Sequence, residues 1–232
     1  MNKNIIILVS ASSVLNPTEV KNLADLSTEY TVYLNSLLLS NWLENLGPLK
    51  DKFEIVCILS EKDKEFIPKS FFPDHIKILF YKDVSLTGFG EESVNNLQQG
   101  SAKTILIFHN TIGLNHENIQ RVVDLAQNEE ASIVIVKSNR DKIILTCSSG
   151  FDKNIFESIL QSDRNYSQML SHLSSRDILI HTLDGFYSVD DFEDIKKLYI
   201  ELSKKESLSY CSPKLHESFN DLFIEYKDLI NA

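Results

Sequence analysis

A chain of 232 residues, 43% of them apolar, is long enough to bury a sizeable core. Its formal charge of −10 argues against a nucleic-acid-binding surface, because neutralising phosphates needs clustered Lys and Arg. The first apolar run is five residues and none reaches eighteen, so neither a secretory leader nor a membrane span is expected, and the expectation is a cytoplasmic protein.

The elements follow in chain order. "NIIILVS" (4–10) is a β-branched run that predicts a buried strand. Asn16-Pro17 is a helix start signal, and Leu34, Leu37, Leu38, Trp42 and Leu46 continue at helical spacing to Gly47-Pro48. "FEIVCILS" (53–60), "IKILFY" (76–81) and "TILIFH" (104–109) predict further strands, with a short helix closed by Gly100 before the last. A helix then carries Ile119, Val122, Val123 and Ala126 on one face. "ASIVIVKSNRDKIILTCS" predicts a hairpin about a polar turn at 137–142. Short helices follow at "DKNIFESILQ" and "SQMLSHLSS", then a strand over 177–183 and a helix with an acidic first turn. The tail bears a stripe of Leu215, Phe219, Leu222, Phe223, Tyr226 and Leu229, read as core packing or as a dimer surface.

Strands alternating with helices predict a three-layer α/β/α sandwich around a mixed, mainly parallel sheet. One domain is expected over 1–204, with a helical extension over 205–232. Ligands in such sheets sit beyond the carboxyl ends of strands. A site is therefore sought at Ser10–Ser13, Ser60–Asp63, His109–Thr111 and Ser138–Asp141. The seven glycines form neither G-x-G-x-x-G nor a Walker loop, so a glycine-rich phosphate cradle is not expected. Cys57, Cys147 and Cys211 show no C-x-x-C spacing, and buried free thiols are expected of the first two.

Several blocks resemble those of bacterial nucleotide-diphospho-sugar transferase-like proteins, relatives of the GT-A glycosyltransferase and molybdenum-cofactor guanylyltransferase folds. "SVDDFEDIKKL" (188–198) resembles the family's D-V-D-T-x-E-D-L, with Asp190, Glu193, Asp194 and Ile195 on matching positions. "ILIFHNTIGLNHENIQRVVDLA" is similar to its strand, G-x-D-x-P turn and helix, and "GFGEESVNNL" keeps Gly90 and Glu91 of L-G-E-R. The resemblance implies a nucleotide or sugar nucleotide as ligand, and Mg²⁺ or Mn²⁺ if the chain is active.

The departures fall on the site. The family's strand-end Asp is replaced by Asn110, which can still ligate a metal but brings no charge. D-G-G-Y-x-L reads Arg140-Asp141-Lys142-Ile143-Ile144-Leu145, and of the basic K-T-R-L cluster only Lys21 remains. The resemblance implies Ser10, Ser12, Lys21, Asn110 and Asp141 as nucleotide contacts, and Asp190 with Asn110 as metal ligands. Each residue also has a plainer reading. Asn110 could close a turn or cap a helix, and Ser188-x-x-Asp191 could be a helix N-cap. His109 and His116 could form a metal pair with Asp141, although a His at a strand end is more often a hydrogen-bonded one. Ser10, Ser12 and Ser13 lack the partners of an acyl nucleophile. The expected function is a transferase-like protein with a degenerate site and weak or no activity. The alternatives are an active metal-dependent glycosyl- or nucleotidyltransferase, and a non-enzymatic interaction protein dimerising through its C-terminal helix.

Overall fold

The computed structural model describes residues 3–23, 26–82, 101–127 and 132–227. The helix expected around Gly90, Glu91 and Gly100, and Leu229 of the C-terminal stripe, lie outside these residues. The strands are β1 (Lys3–Val9), β2 (Phe53–Ser60), β3 (Ile76–Tyr81), β4 (Ser101–Phe108), β5 (Thr111–Ile112), β6 (Ser132–Ser138), β7 (Ile143–Ser149) and β8 (Leu179–Ser188). They form one sheet in the order β3-β2-β1-β4-β7-β6-β8-β5. β1 to β4 run parallel, β7 is antiparallel to both β4 and β6, β6 is parallel to β8, and β5 closes antiparallel on β8.

The apolar runs are continuous because the sheet is covered on both faces. Side chains of a strand alternate between faces, and β1 shows it: Ile6 and Leu8 enter one core, Ile5, Ile7 and Val9 the other. Helices α1 (Thr28–Leu46) and α2 (His116–Gln127) cover the first face with Leu39, Trp42, Ile119, Val122 and Val123. Helices α3 (Lys153–Gln161) and α4 (Tyr166–Leu173) cover the second with Ile155, Ile159, Met169 and Leu173. The result is the expected mixed, mainly parallel sheet between helical layers.

A third cluster joins α1 to α5 (Phe192–Leu202) and α6 (Pro213–Glu225). Leu215, Phe219, Leu222 and Phe223 of α6 are buried there with Leu34 and Leu38 of α1 and Ile195 and Leu198 of α5. Leu215, Phe219, Leu222 and Phe223 of the stripe are thus packed within the chain, against the same α1 that covers the sheet.

Two boundaries differ from expectation, each for a local reason. The first helix begins at Thr28, capped by Ser27, and not at Asn16-Pro17. The Asn16 side chain instead accepts hydrogen bonds from the amide and hydroxyl of Thr18, closing a turn. β8 runs to Ser188, well beyond the expected 183, because Gly185 takes φ of 95° at a bulge against β6 and lets pairing resume. Ser60 stands at the end of β2 as expected, and the chain continues into a 3₁₀ turn over Glu61–Phe66.

Among the described residues no helix is long and apolar enough to cross a membrane. All three cysteines are free and buried. Burial pushes Cys147 and Cys211 up to about 12 and Cys57 higher still, so none offers a thiolate.

Candidate functional site

The parallel strands β1 and β4 end side by side, and the chain leaving each tip turns over the sheet. Between these turns, the α3–α4 connection and the end of β8 lies a cavity of about 190 Å³. Ser12 and Lys21 line it from the loop after β1, His109 and Asn110 from the tip of β4, Arg164 from the α3–α4 connection and Asp190 from beyond β8.

Asn110, Asp190 and Arg164 form a closed network. The Asn110 amide nitrogen donates to Asp190 Oδ1 at 2.9 Å and to the Val189 carbonyl at 3.2 Å. Its amide oxygen accepts from Arg164 Nη1 at 2.9 Å. Arg164 Nη2 donates to Asp190 Oδ1, and the Ser188 hydroxyl donates to Asp190 Oδ2 at 2.6 Å. The partners dictate the amide orientation, since a guanidinium only donates and an ionised carboxylate only accepts. Burial disfavours the Asp190 anion, but Arg164, the Ser188 hydroxyl and Lys142 outweigh it and hold the carboxyl below its ordinary range.

A divalent ion does not fit this arrangement. Both candidate ligand oxygens face the Arg164 guanidinium, Asn110 turns its N–H toward Asp190, and the second Asp190 oxygen is engaged by Ser188. Among the described residues no three His, Cys, Asp or Glu groups gather as a metal cluster. Asn110 and Asp190 do meet, as expected of a pair, but around a side-chain cation belonging to the chain itself.

Arg164 reaches this place through an unusual backbone. Asp163 and Arg164 have φ of 48° and 62°, a left-handed conformation that costs non-glycine residues about 1–2 kcal/mol each. The turn is secured by hydrogen bonds from the Arg164 amide to the Ile159 carbonyl at 2.8 Å and from the Ile143 amide to the Arg164 carbonyl at 2.7 Å. Lys142 clamps the outside, bonding the Asp163 carbonyl at 2.8 Å and carboxylate at 2.5 Å. The guanidinium lies 5.0 Å from the Phe108 ring centroid, a cation–π distance.

His109 forms part of the cavity wall and is 6% exposed. Neither ring nitrogen has a hydrogen-bond partner among the described residues. Burial and the neighbouring Arg164 charge hold its pKa down to about 4, against opposing contributions from the Val9 carbonyl, which accepts from the His109 backbone amide at 3.0 Å, and from Asp190. The imidazole is therefore neutral at pH 7.

The loop after β1 is fixed from beneath. Asp63 is fully buried, and its Oδ1 accepts from the Ser13 hydroxyl at 2.6 Å and from the amides of Val14, Leu15 and Asn16 at 3.1, 2.9 and 3.0 Å. These successive amides make an anion-binding concavity, and the chain fills it with its own carboxylate.

Of the remaining expected residues, Ser10 is buried and donates to the Ser12 carbonyl at 2.8 Å. Asp141 stands outside the cavity lining, accepting from the Ser167 hydroxyl at 2.6 Å with Lys137 at 3.8 Å. His109, His116 and Asp141 do not come together as a metal cluster. The helix cap of the Ser188-x-x-Asp191 segment is Asp191, which accepts from the Asp194 amide at 3.0 Å and pairs with Arg140. Asn110 caps no helix; Asn115 caps α2, accepting from the amides of Glu117 and Asn118. Arg164 belongs to no motif in the sequence. It sits in a polar turn between two short helices, and only the pairing of that turn with the Asp141–Ile143 segment brings it to the strand tips.

No family model and no curated sequence matches the chain. Solved structures do. A candidate nucleotide-diphospho-sugar transferase from Desulfovibrio desulfuricans superposes with a TM-score of 0.73 at 15% identity, covering 100% of this chain and 98% of that one. A 4-diphosphocytidyl-2C-methyl-D-erythritol synthase from Anaerococcus prevotii gives 0.55 at 17% identity, covering 87% and 99%. HddC from Yersinia pseudotuberculosis, solved with GMP-PN, gives 0.50 at 14% identity, covering 86% and 100%. With the strand order and the cavity at the strand tips, these likenesses establish that the chain has the nucleotide-diphospho-sugar transferase fold.

Proposed function

We propose that the chain is a GT-A-like protein that recognises a nucleotide or sugar nucleotide at the tips of β1 and β4 and has lost metal-dependent transfer. One observation carries the reading: Arg164 bonds both Asn110 and Asp190, the residues that would otherwise hold the ion. A transferase of this kind uses a divalent ion to neutralise the diphosphate leaving group. Here the remaining carboxylate is neutralised from within the chain. The second reading, an active enzyme using Asp190, Asp141 and Lys21, is disfavoured by the placement of Asp141 with Ser167 and Lys137, outside the cavity.

The test is incubation with a panel of sugar nucleotides, and of nucleoside triphosphates paired with sugar 1-phosphates, in Mg²⁺ or Mn²⁺, with products read by mass spectrometry. No metal-stimulated product is expected, while at least one nucleotide should raise the thermal midpoint. Metal-dependent turnover that disappears in Asp190→Ala would overturn the reading.

A further inference from the structure

Beyond the loss of transfer, and resting on that nucleotide-recognition reading, we infer that the cavity holds the diphosphate group of its ligand without any divalent ion, using Arg164 and Lys21 as the cations. A guanidinium presents five N–H donors, and the network assigns one from Nη1 to Asn110 and one from Nη2 to Asp190. The rest of the fork remains for a ligand on the cavity side, and its planar geometry suits phosphate oxygens. Lys21 lines the same cavity, is exposed, and has no ion pair among the described residues. With Asp190 cancelling one charge, Lys21 and Arg164 leave the inner site with a net positive charge; Asp163 at the rim is matched by Lys142.

A second observation points independently to a ligand. His109 is more than nine-tenths buried, lines this cavity, and has no hydrogen-bond partner on either ring nitrogen among the described residues. A buried polar group without a partner is expected to acquire one. A neutral imidazole both donates and accepts, so it can meet a ligand oxygen or hydroxyl without adding charge. The volume fits a piece of a ligand rather than the whole. At about 190 Å³ the cavity falls below the roughly 300–1,000 Å³ of sites that enclose a small molecule, so a diphosphate would enter while the nucleoside lies over the lip. The left-handed turn at Asp163 and Arg164 holds the guanidinium in place without help from the ligand.

The experiment is calorimetry with UDP, CDP, GDP and inorganic pyrophosphate, each in EDTA and in Mn²⁺. At least one diphosphate should bind in EDTA with an affinity unchanged by Mn²⁺. Lys21→Ala, a change at an exposed side chain that leaves the fold intact, should weaken it about tenfold, as for loss of one charge-assisted contact. Arg164→Gly, at a φ that glycine accepts, should abolish it. Binding that requires Mn²⁺, or that both variants leave unchanged, overturns this inference but leaves nucleotide recognition standing. Absence of binding by every nucleotide with and without metal overturns both.

Discussion

Asp63→Ala is expected to destabilise the chain by about 3–5 kcal/mol and to release the loop after β1 from the sheet. The carboxylate is fully buried and takes three backbone amides and the Ser13 hydroxyl. Its removal leaves three amides without an acceptor, each costing about 1–3 kcal/mol when buried, less whatever the loop recovers by admitting water. Asp63→Asn keeps one carbonyl oxygen and should lose less. The measurement is denaturant unfolding followed by the fluorescence of Trp42, the single tryptophan, which is fully buried in the core beneath α1. Limited proteolysis between residues 10 and 23 should quicken in the same order. An unchanged midpoint in Asp63→Ala would show that the loop is held by other contacts.

Acid should expose the second large effect, at His109. The unfolded chain takes up this proton near pH 6.5 and the folded chain only near 4. Between those values the unfolded state binds more protons, so stability is complete above about pH 6.5 and falls as pH drops toward 4. A shift of that size corresponds to about 3 kcal/mol by pH 4. The Asp190 carboxyl acts in a lower window. Its depressed pKa contributes stability above the ordinary value of 3.8, and this is lost only as pH falls further. Titrating stability between pH 7 and 4 in the native chain and in His109→Phe separates them. The native chain should lose stability over this range and the variant should lose markedly less; equal slopes would place the titrating group elsewhere.

Much of the fold was legible because its signals are local. β-Branched runs such as Ile5–Val9 and Ile133–Val136 are strands buried on both faces, and the stripe of α6 marks a helix with one buried side. Asn16-Pro17 carries the local chemistry of a helix start, but Asp63, 47 residues away, holds Asn16 in a loop. The extension of β8 depended on a bulge whose register is set by β6. The site was legible in part for the same reason. Asn110 and Asp190 stood out as strand-tip and turn residues, and they do meet. Arg164, 54 residues from Asn110, reaches them through tertiary contact alone, and a polar turn between short helices gives no local sign of it. Asp141 looked like a ligand contact because it lies in a polar turn after a strand, yet its carboxylate is spent on Ser167 within the scaffold of the Arg164 turn.

On the proposed reading, the Arg164 guanidinium occupies the place of a divalent ion beside Asn110 and Asp190. Mn²⁺ binding, followed by electron paramagnetic resonance of the free ion, tests this directly in the native chain, in Asp190→Asn and in Arg164→Gly combined with Asn110→Asp. The combined variant removes the internal cation at a backbone angle that glycine tolerates and restores a second carboxylate beside Asp190. The native chain should show no saturable Mn²⁺ site that depends on Asp190, and the combined variant should gain one. Stoichiometric Mn²⁺ binding by the native chain that vanishes in Asp190→Asn would contradict the account.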